Sequence, residues 1–245
     1  MDSGIIVGMR AGSDGDVILG NLSAVAALRR VRASNAALSE RSLAVKRYQH
    51  QRFQQTYADL LGRPEWRPAA VFFLDELYGP HDFSARDAQF ERIVPALVRL
   101  FPPEIVGTVR QLSELHALSE RLDDALAARW TGEAALDVRS YAQAWRAVGE
   151  PASRKRQIDL MLAVGRALIR YTRNPVLRTG LRLMRGPAEL AGLSALQHFL
   201  ETGFDTFRRL PDPEGFLGII ASREAKIAEW LFSENPVGEP PQGLT

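Results

Sequence analysis

The residues best equipped for chemistry in this chain are its four histidines and a few short polar runs. His116 and Glu120 in LSELHALSERLD are four apart, and His198 and Glu201 in LQHFLE are three apart. Either spacing places imidazole and carboxylate on one helix face. Two helices that each present such a pair could assemble a metal site inside a bundle. The Glu-x-x-His order of di-iron carboxylate proteins is absent, however, and His198 shares a polar face with Ser194, Glu201 and Asp205. Solvated polar faces explain both pairs more cheaply than a metal site does. His50 shares a stripe with Phe53 and Tyr57, as an axial haem ligand would, but so would a histidine at the edge of a core. The run AGSDG (11–15) has the outline of a hydrolase elbow, but that motif needs a strand before it and a sheet around it. Its glycines also lack the Lys-Ser/Thr ending of a phosphate loop. No catalytic residue and no cofactor is assigned on these grounds.

The densest local signal is FFLDELYGPHDFSARD, residues 72–87. Gly79 and Pro80 stop one helix, and Ser84 offers an N-cap for the next, with Asp87 three residues on as an acidic capping-box partner. Asp75 and Glu76 then lie in a last turn, where the helix dipole disfavours acids, and Arg86 lies in a first turn, where it disfavours a base. Each placement breaks the rule in a way the other repairs. The expectation is a clasp in which Asp75 or Glu76 pairs with Arg86 across the turn, leaving Tyr78 and His81 free for a ligand.

The formal charge is +2, but it is unevenly spread. Residues 151–186 hold nine Arg or Lys against Asp159, while residues 104–137 hold seven acids against three arginines. Arg166, Arg170 and Arg173 step along one helix face, and Arg178, Arg182 and Arg185 repeat the spacing in the next segment. Six guanidiniums so arranged suit phosphates or an acidic protein. The plainer reading pairs them with Glu114, Glu120, Asp123 and Asp124. Tyr171 is the one aromatic among them, so a stacking platform for single strands is not supported, and nucleic acid ranks below a protein partner.

Helices must position all of this. No stretch alternates apolar and polar residues between hairpin turns, and 46% of the residues are hydrophobic against 24% charged, as in ordinary globular domains. Asn21 to Leu61 lacks Gly and Pro; one helix of that length would run about 60 Å, so a break is expected at Ser34-Asn35. Later segments, bounded by Pro or Gly, predict an all-α domain of eight or nine helices over 21–233, the first of them long, with no β-sheet. A flexible arm is expected over 1–20 and a disordered tail over 234–245. There is no cysteine, which removes disulfides, thiolate chemistry and cysteine-held metals. No apolar run approaches the length of a membrane span or a signal-peptide core, so the expected location is the cytoplasm.

FFLDELYG (72–79), DF (82–83) and RD (86–87), with ELHALSERLD (114–123) and GLRLMRGPAELAGLSALQHFLETGF (180–204), resemble a family of uncharacterised all-helical bacterial proteins across most of 70–235. The resemblance implies a helical fold and no known activity. Taken together, these features describe a binding protein whose partner is another protein or a second copy of itself. The alternative is a metal- or small-molecule-dependent enzyme with a pocket near the 72–87 corner and His116, and third is a nucleic-acid binder using Arg166–Arg185.

Overall fold

Capping residues set the helix boundaries. In the computed structural model, which describes residues 13–77, 79–130, 135–234 and 240–244, Ser13 and Asp16 form a reciprocal capping box that starts α1 (Asp14–Ala33). The expected arm therefore ends earlier than its composition suggests: Gly15 and Ile18 are buried, and residues 1–12 lie outside the described ones. The Asn35 side chain accepts from Leu38 N at 3.0 Å and starts α2 (Ala36–Thr56), so the long first helix breaks where expected. Tyr57, at φ −112° and ψ 23°, leaves helical geometry and isolates the one-turn α3 (Ala58–Leu61).

After α4 (Arg67–Phe72) comes a π-helical turn, Phe73–Leu77. The chain continues through α5 (Ser84–Leu100), which carries Pro95 inside it, and α6 (Pro103–Arg129). Then follow α7 (Val138–Val148), α8 (Pro151–Thr172), α9 (Pro175–Leu183), α10 (Arg185–Leu190), α11 (Ser194–Arg209) and α12 (Pro213–Phe232). Prolines in the first turn open several of these, where their missing N–H costs nothing. The described residues thus form twelve α-helices and no strand, more than the eight or nine expected. Against nine, the excess is the separation of α1 from α2 and two short pieces: α3, set off by Tyr57, and α10, ended by Gly192 at φ 67°. Among the described residues no helix is long and apolar enough to cross a membrane.

The long helix α6 packs against α1, α2, α5, α7 and α8, while α12 covers α8 and α7, and α11 bridges α4, α5 and α8. Phe53, Tyr57, Phe72, Phe73, Phe207 and Phe216 lie in the largest core cluster. A second cluster gathers Val45, Leu126, Tyr141, Trp145 and Leu231, and a third joins α1, α5 and α6 through Ile18, Leu22, Val94 and Val106.

The acids of α6 point inward. Glu120, Asp123 and Asp124 are buried, which corrects their expected pairing with arginines of 151–186. Arg32 of α1 bonds Glu120 at 2.6 Å and Asp124 at 2.9 Å, and Lys46 of α2 bonds the other Glu120 oxygen at 2.5 Å. The Ser42 hydroxyl donates to Asp124 and the Gln49 amide to Asp123. Glu114 does pair with an arginine, at 2.8 Å, but with Arg156 rather than one of the six expected. The second buried link ties α2 to α12: Arg52 Nη1 donates to Glu224 Oε1 at 2.6 Å, and Tyr57 donates to the same oxygen at 2.7 Å.

The tail also departs from expectation over 240–244. Leu244 is buried in the second core cluster, and the Thr56 hydroxyl donates to Gln242 O at 3.0 Å. Gly243 makes this docking possible, with φ at 96° and a backbone so close that a Cβ would lie 2.0 Å from Thr56 Oγ1. Gly243→Val is therefore expected to unseat the tail and cost about 1–3 kcal/mol. The check is trimming by carboxypeptidase, which should advance past Leu244 in the variant and stall in the parent; equal trimming would count against a docked tail.

Candidate functional site

The end of α4 and the π-helical turn deliver Phe72, Phe73 and Leu74 into the core. Beyond it the chain turns back into α5, with Asp82 Oδ1 accepting from Ser84 N at 2.9 Å. The cap position is thus Phe83 rather than Ser84, and no side chain caps it. Asp87 is drawn away from capping altogether. Its Oδ2 accepts from Arg29 Nη2 and lies 2.7 Å from His116 Nε2, so three helices meet at one carboxylate. Burial pushes the Asp87 carboxyl up, but the His116 and Arg29 bonds outweigh it and hold it below its ordinary value. An ionised carboxylate can only accept, so His116 Nε2 carries the hydrogen in this pair.

The expected clasp takes a modified form. Arg86 Nη1 donates to the carbonyl of Glu76 at 2.9 Å, while the Glu76 carboxylate stands 3.9 Å away. The guanidinium lies over Phe83 at 4.1 Å and Phe199 at 4.7 Å. Asp75 turns toward His50, 3.5 Å from its Nε2, which gives that histidine a carboxylate neighbour. His81 is exposed, its ring 6.2 Å from that of Phe83, and Tyr78 lies outside the described residues.

Against this corner stands a cavity of about 100 Å³. Leu22, Phe90, Leu115, Leu196 and Phe199 give it apolar walls, and Arg86, Asp87, His116 and Ser119 supply polar groups. The 72–87 corner and His116 are therefore neighbours in space. Phe199 reaches the site because α11 approaches α4 closely at Gly203, where a Cβ would lie 2.9 Å from the Phe72 ring.

The four groups weighed as metal ligands separate. His116 is held by Asp87, Glu120 by Arg32 and Lys46, and Glu201 by Arg185 Nε at 2.7 Å, while His198 is exposed. Among the described residues no three His, Asp or Glu side chains are grouped as a metal ion would require.

The basic segment forms a second surface. Arg173, Arg178 and Arg182, with Arg208 of α11, line a groove of about 520 Å³. Arg178 is engaged by Asp205 at 3.1 Å. Among the described residues, no carboxylate lies within 4.0 Å of Arg173, Arg182 or Arg208. Arg166 and Arg170 are exposed outside the groove lining, and Arg185 is exposed and joined to Glu201. Beside the groove, α9 buries no residue at all. Val176, Leu183, Met184 and Leu190 are 74%, 73%, 52% and 92% exposed; Val176 and Leu183, seven apart, share one face of α9, while Met184 caps that helix and Leu190 ends α10.

Sequence spacing did not point to Arg29 or Arg208. Each reaches its site from a separate helix, and neither belongs to a periodic run that would single it out. Residues 28–238 match a domain of unknown function (DUF8198). No curated protein and no solved structure matches the chain.

Proposed function

We propose that this chain, which belongs to the DUF8198 family of domains of unknown function, is a helical docking protein whose partner is an acidic, amphipathic protein segment. The observation that carries the reading is the arginine-lined groove beside the exposed apolar residues of α9 and α10. Exposed apolar residues gathered in this way mark an interaction surface, and the guanidiniums of Arg173, Arg182 and Arg208, which have no carboxylate within 4.0 Å among the described residues, favour carboxylates in the partner. An amphipathic helix laid in a groove reads out both features, with its apolar residues on those of α9 and α10 and its acids in the groove.

The test is fluorescence anisotropy with a labelled 18-residue peptide that places Leu on one helical face and Glu on the other. Each charge-assisted hydrogen bond contributes about 1.5–3 kcal/mol. The Arg173→Glu, Arg182→Glu, Arg208→Glu triple variant should therefore bind at least about a hundredfold more weakly. Leu183→Asp with Leu190→Asp should weaken binding separately. Undiminished binding by the arginine variant would remove this surface from consideration. Tighter binding of a single-stranded oligonucleotide, with steep salt dependence, would replace the protein partner by nucleic acid.

A further inference from the structure

The cavity beside the 72–87 corner has a recognition chemistry separate from that of the groove. Its polar groups gather where α5 begins, against otherwise apolar walls. Asp87 is already satisfied, with Arg29 and His116 both at 2.7 Å. Arg86 is not. Its side chain is largely buried between the Phe83 and Phe199 rings, and among the described residues its hydrogen bond goes to a neutral carbonyl. The nearest carboxylates stand off at 3.8 Å, on the already engaged Asp87, and at 3.9 Å, on Glu76. Burial depresses the Arg86 guanidinium below its ordinary value, as expected for a cation short of compensation.

An anion arriving in the cavity would supply what Arg86 lacks. A guanidinium presents its donors in a planar fork that fits a carboxylate through two parallel bonds. The walls decide the rest of the ligand. A space of about 100 Å³ is smaller than the roughly 150 Å³ that accepts benzene, so the ligand must have fewer heavy atoms than benzene, which limits it to a carboxylate with a chain of two or three carbons in all. We propose that this cavity binds a small aliphatic monocarboxylate, its carboxylate on Arg86 and its chain among Leu115, Leu196 and Phe199. A phosphate dianion is disfavoured, because apolar walls penalise the desolvation of a second charge.

The experiment is a nuclear magnetic resonance titration of the full chain with propanoate and, separately, 1-propanol. Arg173→Glu and Arg182→Glu are introduced first, so that the α9 groove does not contribute. Propanoate should saturate at a concentration at least tenfold below that of propanol. Arg86→Gln should erase that preference while leaving the weaker alcohol binding in place. Leu200→Trp, at a lining position that is 40% exposed, should reduce binding of both probes at least tenfold, and it leaves the corner itself untouched. Equal affinity for the two probes, no saturable propanoate binding, or an unchanged preference in Arg86→Gln would each overturn the proposal.

Discussion

Replacing Arg52 with Met is expected to remove roughly 3–5 kcal/mol of unfolding free energy, the largest loss for any single change described above. Arg52 is buried, and it donates to a Glu224 oxygen that also accepts from Tyr57. With the guanidinium gone, the Glu224 carboxylate loses its cation and, among the described residues, keeps the phenol hydroxyl as its remaining hydrogen-bond donor. The cost is the stranded charge rather than the net value of the pair. Arg52→Met with Glu224→Leu should accordingly recover most of the loss, since apolar replacement of a buried pair is often neutral or better. Urea unfolding followed by circular dichroism reads both variants. A single variant within about 1 kcal/mol of the parent, or a double variant no better than the single, would sink this account.

Acid should unfold the chain through Glu120. Burial alone would raise its carboxyl, but Lys46 and Arg32 hold it down, from 4.5 to about 2. A depressed carboxylate stabilises the fold above its unfolded value and loses that contribution as the pH falls through the folded one. The window is therefore between about pH 4.5 and pH 2, and the amount at stake is roughly 3 kcal/mol. Asp123 acts in the opposite sense: burial raises its carboxyl, so its contribution is present when protonated and fades as the pH rises. Urea midpoints for the parent and Glu120→Gln, measured from pH 7 to pH 2, should start apart and converge at the acid end. Parallel profiles would show that the Arg32–Glu120–Lys46 cluster does not control acid stability.

The parts of the fold set by local chemistry were legible in the sequence. Asn35 and the prolines mark helix starts by satisfying or omitting backbone donors, and those signals lie within a few residues of what they control. The Arg86–Glu76 approach was legible for the same reason, being ten residues in span. The partners of Asp87 and Glu120 were not. Spacing along α6 places His116 and Glu120 on one face, yet their hydrogen bonds go to α5 on one side and to α1 and α2 on the other. Those bonds join residues 29 to 88 positions apart. Charge counting failed similarly: it balanced the acids of 104–137 against the nearest basic run, whereas helix packing pairs Glu120 and Asp124 with Arg32 of α1 and Lys46 of α2 and leaves Asp123 to the neutral Gln49 amide. In the candidate groove, the α8–α9 arginines were visible as a periodic run, but the contribution of Arg208 depends on how α11 ends beside them.

The Arg52–Glu224 bond and the docked tail join α2 to the last elements of the described chain, 172 and 186 residues downstream. During synthesis, α2 emerges from the ribosome long before either partner exists. At about 5–20 residues per second, its guanidinium and the surface around Thr56 wait on the order of ten seconds or more for their partners. Through that interval the second core cluster lacks both α12 and Leu244, and its apolar side chains have no final cover. Completion of the domain is thus set by the arrival of its C-terminal segment, and a nascent chain stalled before Glu224 would present that uncovered surface to chaperones.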